Sequence, residues 1–201
     1  MRILKRAAPL ALVLVLGSQG SALATTRNVT IADFSFTPKV TRARLGDTVK
    51  WTNTAPGTMH TSTNDSGNPL VWDSGVISPG GGTFSLAFKI AGTFGYHCAI
   101  HPFMVGSIQV RPRAFPATGP RGTIFTITVA TVPASGSLVY DIQIRAPGGK
   151  FVKFVYGNRT GKVRFNSKGH PLGKYQFRAR LRNTSNHHVS GFSPAITITV
   201  S

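Results

Sequence analysis

The sequence predicts an all-β protein built as two consecutive sandwiches. Three observations carry that expectation. Apolar and polar residues alternate in short runs of period two, helical periodicity is almost absent beyond the first two dozen residues, and Gly, Pro, Asn and Asp clusters punctuate the runs. With 22 Gly and 13 Pro in 201 residues, turns are amply supplied.

The first segment is an address rather than structure. Residues 1–24 open with Arg2, Lys5 and Arg6, continue through an apolar stretch at 7–16 and close on Ala22-Leu23-Ala24. A basic start, a short apolar run and a small-residue cleavage site form the pattern of a secretory signal peptide. The run is shorter than the roughly 20 residues that a membrane-spanning helix needs. No later apolar run is long enough to span a bilayer, and no Cys follows the cleavage point to take a lipid anchor. The expected mature chain begins at residue 25, with no transmembrane segment. It is secreted, whether periplasmic, extracellular or associated with the cell envelope.

The strand-like runs of the first half are 29–34, 39–45, 48–52, 83–89, 93–98 and 106–111. Gly46-Asp47, Pro56-Gly57 and Pro79-Gly80-Gly81-Gly82 supply turns between them. In the second half the runs are 123–131, 138–145, 151–156, 162–165, 174–182 and 196–200, broken at Pro133, Pro147-Gly148-Gly149, Gly157-Asn158 and Gly169. Residues 112–122 are rich in Pro, Gly and Arg, and each X-Pro step biases the chain toward extended structure, so this stretch is expected to be a linker. The expected domains are 25–111 and 123–201, each of a size that suits a sandwich. They are not repeats, because the single Cys lies in the first.

Charge divides the two halves. The whole chain carries 23 Lys and Arg against 5 Asp and no Glu, a net +18. Residues 25–111 hold seven basic and four acidic residues, whereas residues 112–201 hold thirteen basic residues and only Asp141. So few carboxylates argue against paired-carboxylate glycosidase chemistry and against an oxygen-rich calcium or magnesium cage. One Cys excludes an internal disulfide and a Cys-rich zinc or iron–sulfur site. The positive excess suits nucleic acid at first sight, but an exported chain does not normally meet it, and no nucleic-acid partner is expected.

The chemistry is concentrated at residues 92–106, which read Gly92-Thr93-Phe94-Gly95-Tyr96-His97-Cys98-Ala99-Ile100-His101-Pro102-Phe103-Met104-Val105-Gly106. Here Cys98, His101 and Met104 follow one another at intervals of three between two strand-like runs. His60 lies upstream, beyond the run that ends near Asn53. One thiolate, two imidazoles and a weak thioether suit copper: the thiolate is a strong donor to Cu(II), the thioether favours Cu(I), and imidazole serves both. Taken singly, a lone Cys is usually a small buried hydrophobe and a lone His a satisfied core or surface residue. The spacing of all four together is what argues otherwise.

This region resembles the cupredoxins, the plastocyanin/amicyanin group in particular. The resemblance runs over about 85 residues, from Val29-Thr30-Ile31-Ala32-Asp33-Phe34-Ser35-Phe36 through Gly46-Asp47-Thr48-Val49-Lys50-Trp51-Thr52-Asn53 to Val110. It implies a Greek-key β-sandwich, one type 1 copper per chain, and His60, Cys98, His101 and Met104 as the metal ligands. It further implies one-electron transport to a redox partner docking near His101, with Pro102 and Phe103 in the surrounding apolar rim, joined by Pro56, Gly57 and Met59. The short Cys98–Met104 loop is similar to that of amicyanin. One departure stands out: the family usually places Asn after the first ligand His, and this chain has Thr61.

His97 lies one residue from Cys98, so strand alternation turns it to the opposite face. In copper nitrite reductases and multicopper oxidases the corresponding His feeds a second copper, but such a centre needs further histidines. Only His170, His187 and His188 remain, without a second Cys motif. No enzyme activity is therefore expected. The alternatives to a carrier of electrons are a copper-binding or copper-delivering protein, or an envelope adhesion module with a static metal.

In the second half, 173–183 followed by Gly191-Phe192-Ser193-Pro194 resembles the end of a fibronectin type III domain, implying an immunoglobulin/fibronectin III-like sandwich. Alternation over 174–182 places Tyr175, Phe177, Ala179 and Leu181 on one face. Lys174, Gln176, Arg178, Arg180 and Arg182 fall on the other. This basic face is expected to dock on an anionic surface of the cell envelope or on an acidic partner.

Overall fold

The structure, a computed structural model, describes residues 24–201. The predicted signal segment lies outside the described residues apart from its last residue. Eight strands form the first sandwich: β1 (Thr26–Ala32), β2 (Ser35–Thr37), β3 (Val40–Arg44), β4 (Thr48–Asn53), β5 (Thr63–Asn64), β6 (Gly82–Ala87), β7 (Gly92–His97) and β8 (Val105–Arg111). One sheet has the order β2-β1-β4-β6 and the other β3-β8-β7-β5. The pairs β1/β4 and β3/β8 are parallel, so the chain crosses between sheets rather than folding as simple hairpins.

Period-two burial explains why these runs are strands. In β4, Val49, Trp51 and Asn53 are buried while Thr48, Lys50 and Thr52 are half-buried; in β7, Phe94 and Tyr96 point inward. The inward aromatics pack together: the Trp51 ring centroid lies 5.5 Å from those of Phe84 and Tyr96, and Trp72 lies 5.8 Å from Phe88. Each such ring buries enough apolar surface to dominate a core of this size. Gly106 on β8 is required by this packing, because a Cβ there would overlap the Tyr96 ring.

The second sandwich contains β9 (Arg113–Phe115), β10 (Thr118–Gly119), β11 (Ile124–Thr128), β12 (Leu138–Arg145), β13 (Val152–Asn158), β14 (Lys162–Asn166), β15 (Gly173–Asn183) and β16 (Ile196–Val200). Its sheets run β14-β11-β9 and β10-β16-β15-β12-β13. The fold is thus all-β throughout, a cupredoxin-like sandwich followed by a second β domain. Residues 112–122 carry β9 and β10, which pair with β11 and β16. Extended backbone at X-Pro steps serves an edge strand as readily as a linker.

The two sandwiches are joined by backbone pairing as well as by the chain. Ala91 N donates to Val129 O at 2.8 Å, and Thr131 N donates to Lys89 O at 2.9 Å. Thr93 and Gly191 exchange both of their backbone hydrogen bonds, at 2.9 and 3.0 Å, and Thr93 Oγ1 donates to Phe192 O at 2.9 Å. Ile90, Ala91, Val129 and Ala130 are buried in one continuous apolar core. The junction sits at the start of β7, five residues before Cys98; at about 3.3 Å per strand residue that is roughly 17 Å from the thiol.

The arginine face of β15 differs from the free basic stripe that alternation suggests. Tyr175, Phe177, Ala179 and Leu181 are buried as expected, but Arg178, Arg180 and Arg182 are themselves half-buried. Arg178 stacks between Phe151 (4.1 Å) and Phe192 (4.5 Å), and Arg180 lies 4.9 Å from the Phe192 centroid. Arg180 and Arg182 also pair with Asp141, whose side chain is 0% exposed. Guanidinium planes stack well on aromatic faces, so this side of the sheet is built into the domain.

Candidate metal centre

Cys98 follows directly on β7 and is fully buried. The loop to β8 closes on itself through three backbone bonds: His101 N donates to Cys98 O (3.1 Å), Met104 N to His101 O (2.9 Å) and Cys98 N to Met104 O (3.1 Å). Two tight turns thus bring residues 98, 101 and 104 together, which is the physical content of the three-residue spacing. From the other side, His60 is held by paired backbone bonds with Ile77, at 2.7 and 3.4 Å. Asn53 at the end of β4 braces that segment, donating to Thr58 O (2.8 Å) and Ile77 O (2.9 Å).

The donor atoms of His60, Cys98 and His101 all lie within 4.8 Å of one another. Cys98 Sγ is 3.8 Å from His60 Nδ1 and 3.7 Å from His101 Nδ1. Donors with bond lengths of about 2.0–2.3 Å to a shared ion, spread at trigonal angles, would be separated by roughly 3.7 Å, so the set fits one soft metal. Met104, 2% exposed, closes the same loop through its backbone bonds to Cys98 and His101. Burial, and secondarily the charge of His101, holds His60 below the ordinary imidazole range. That favours the neutral imidazole, the form that binds metal.

Thr61 answers the departure noted in the sequence. Its amide donates to Cys98 Sγ at 3.3 Å, and its hydroxyl accepts from Ala99 N at 2.7 Å and lies 3.0 Å from Thr63 Oγ1. The side chain therefore ties the His60 segment to the Cys98 loop, a bond of the kind that orients metal ligands. Thr61→Val keeps the amide bond and removes the hydroxyl. It is expected to lower the stability of the metal-free protein by about 1 kcal/mol, since the Ala99 amide loses a part-buried acceptor, while copper still binds. Denaturation of both forms checks this.

Phe34 was not evident from sequence. Asp33 (φ 44°) and Phe34 (φ 60°) form the two-residue turn between β1 and β2, both in the left-handed region. The turn contains no glycine to announce it. Its ring lies edge-on to His101 at 4.8 Å and to His60 at 5.9 Å, and 6.1 Å from Phe103. A bulky residue at positive φ costs roughly 1–3 kcal/mol, so surrounding contacts must hold it. Phe34 (48% exposed) and Phe103 (72%) leave an apolar rim beside half-buried His101, and Met59, next to His60 in the chain, is 53% exposed. His97 faces away and pairs with Asp65, Nδ1 to Oδ1 at 3.0 Å. Asp65 approaches because Gly95 has no Cβ to overlap its carboxylate.

Comparison with known proteins is consistent with this geometry. Residues 23–111 match the family of copper binding proteins of the plastocyanin/azurin type. Amicyanin-alpha of Methylorubrum extorquens is 33% identical over 84 residues, covering 41% of this chain and 69% of that protein. The chain belongs to the plastocyanin/azurin family. Amicyanin of Paracoccus denitrificans is likewise 33% identical over 84 residues; the chain spans 63% of its length, and the match takes in 41% of this chain. Among solved structures, a variant of amicyanin in the reduced Cu(I) form at pH 4 aligns at 28% identity and a TM-score of 0.37, over 41% of this chain and 79% of that one. A copper-containing nitrite reductase from Thermus scotoductus aligns at 27% identity and a TM-score of 0.39, over 44% and 22%. The family's cofactor is copper, and the His60–Cys98–His101 cluster is consistent with a single type 1 copper.

Proposed function

We propose that the chain is an exported type 1 copper protein that carries one electron at a time, with His60, Cys98, His101 and Met104 as ligands. The observation that carries this reading is the asymmetry of the site: Cys98 and His60 are fully buried, whereas His101 reaches a half-buried position inside an apolar rim. Bound copper would supply a one-electron couple. The protein's part is to hold the donors still, through the self-bonded 98–104 loop and the Thr61 bridge, so that little rearranges between oxidation states. Burial keeps water from the thiol. The rim around His101 gives a partner protein a desolvated contact at the most accessible donor.

An enzymatic reading would need a second metal centre. Among the described residues, His60, Cys98 and His101 are the one group of three or more His, Cys or acidic side chains placed to hold an ion. The His97 imidazole is engaged with Asp65. Both observations favour a carrier. No helix long and apolar enough to cross a membrane occurs among the described residues.

We place the boundary between the domains after residue 111, with 112–122 supplying β9 and β10 to the second, and assign the second to attachment on an anionic envelope surface. Lys150, Lys153, Lys162, Arg164 and Lys168 are exposed, so they would carry that contact in place of the stacked arginines. Retention on envelopes that is unchanged from low to high salt would defeat the attachment reading.

The decisive experiment is the visible and EPR spectrum of copper-loaded protein together with its reduction potential. An intense thiolate-to-copper band with reversible cycling is expected; a weak band would overturn the site, and an irreversible couple would favour copper delivery or a static metal. Met104→Leu should keep the band and raise the potential by more than about 59 mV, the tenfold step of a one-electron couple, as read by voltammetry.

A further inference from the structure

A second site-like feature lies away from the copper pole, where the two sandwiches meet. A cleft of about 380 Å³ is lined by Arg27 of β1, Arg42 and Arg44 of β3, Gln109 and Arg111 of β8, and closed by Pro194 and Ala195 of the second domain. Its volume lies within the range of small-molecule sites. Four arginines line it, and the neutralising carboxylate is Asp47, which holds Arg27 Nε at 2.8 Å. Among the described residues Arg42, Arg44 and Arg111 form no ion pair.

The register makes this arrangement costly. On the parallel pair β3/β8, Arg44 stands opposite Arg111 and Arg42 opposite Gln109. Neighbouring strands are about 4.8 Å apart, so two exposed like charges sit side by side on one face, an arrangement that destabilises a sheet. Arginines do protect an exposed edge strand such as β3 from pairing with other chains. Edge protection, however, needs charges only on β3, whereas here β8 adds Arg111 and β1 adds Arg27, with Pro194 and Ala195 of the second domain completing the cleft.

We infer that this cleft binds a small phosphorylated anion. Arg42, Arg44 and Arg111 come from one sheet and Arg27 from the other, so the four do not share a single plane. A phosphoryl group offers three strongly accepting oxygens in three directions, and guanidinium forks match such oxygens in pairs. A planar carboxylate would satisfy one fork and leave the others unmatched. Four arginines against one aspartate leave a local excess of three positive charges, which suits an anion of two or three charges such as a diphosphate. The occupant touches both sandwiches, so it also fastens their junction. None of this rests on the copper site.

The test uses the full copper-loaded chain and inorganic pyrophosphate, followed by calorimetric titration at fixed ionic strength, with inorganic phosphate and citrate as comparison probes. Pyrophosphate should bind saturably and at least about tenfold more tightly than either comparison probe. The double variant R44Q/R111Q should weaken it by more than about tenfold, since each charge-assisted pair is worth about that factor or more. Lys174→Gln, which does not line the cleft, should change it less than twofold. Without anion, R44Q/R111Q should melt no earlier than the native chain, because a repulsion has been removed. Absence of saturable binding, citrate binding as tightly as pyrophosphate, equal losses in Lys174→Gln, or an earlier melting double variant each overturns the proposal.

Discussion

Cys98→Ser is expected to abolish the intense visible band and to weaken copper binding by more than the roughly 10–100-fold that loss of a supporting partner costs a metal site. The thiol is fully buried, receives the Thr61 amide at 3.3 Å, and faces two imidazole nitrogens at 3.7 and 3.8 Å. Serine fills nearly the same space and still accepts from Thr61, so the metal-free fold should survive. What disappears is the soft anionic donor, because a buried hydroxyl does not ionise at neutral pH as a metal-bound thiol does. Copper added at about a hundred times its dissociation constant should stabilise the native chain by about 2.7 kcal/mol, and the variant by far less. Thermal denaturation with and without copper reads this directly. An undiminished copper-dependent gain in the variant would mean that the metal sits elsewhere.

The metal-free native protein should also respond to acid through His60. Its folded pKa lies below the ordinary value of 6.5, chiefly because of burial. The unfolded chain therefore takes up a proton first as pH falls. Stability that is fully present above about pH 6.5 is lost as pH descends toward the folded value. Proton competition for the same imidazole weakens copper binding in the same direction.

How much of this was legible in sequence depended on whether the information was local. The longer strands were, because burial on one face imposes period two: β12 (Leu138–Arg145) occupies the expected run and β7 lies one residue from its expected bounds, whereas β2 (Ser35–Thr37) and β5 (Thr63–Asn64) are too short to show a period. The Cys98, His101 and Met104 spacing was legible because two successive turns are a local geometry, closed by bonds within seven residues. His60 was legible as a candidate donor beyond the run ending near Asn53, but its approach to Cys98 was not, since that depends on how two sheets pack.

The misses share a different cause. Phe34 reaches the site from a turn whose left-handed residues are Asp and Phe, so the glycine signal for such a turn was missing. The fate of 112–122 depended on partners some ten to eighty residues away, β11 and β16, which no local pattern announces. The arginines of β15 alternate as an exposed face would. Their stacking on Phe151 and Phe192 joins residues distant in the chain, and only the folded arrangement reveals it. Thr61 falls between these cases: its position was legible as a departure from the family, its bond to Ala99 was not.

Asp141→Asn is expected to be the most damaging single change in the second domain. The carboxylate is wholly buried and accepts from Arg182 Nε (2.8 Å) and Nη2 (2.9 Å), Arg180 Nε (3.3 Å) and the Gly157 amide (3.2 Å). It is the one acid among thirteen basic residues from 112 onward. Removing its charge leaves two half-buried guanidiniums without an anion, in a domain with no other carboxylate side chain to recruit. Breaking a buried pair in this way costs about 3–5 kcal/mol, and the lower end is expected here because both arginines keep some contact with solvent. Burial by itself would raise the pKa of Asp141, but the hydrogen bonds from Arg182, Gly157 and Arg180 outweigh it and hold the carboxyl below its ordinary value of 3.8. The sign follows: the contribution is complete above about pH 3.8 and is lost as pH falls through the lower, folded value. Urea denaturation should therefore show a wide gap between native and variant at pH 7 that persists to about pH 4 and narrows below it. A gap that stayed constant into strong acid would assign the loss to packing rather than charge. In that case the stacked aromatics, and not the aspartate, would be what lets this sheet carry three arginines side by side.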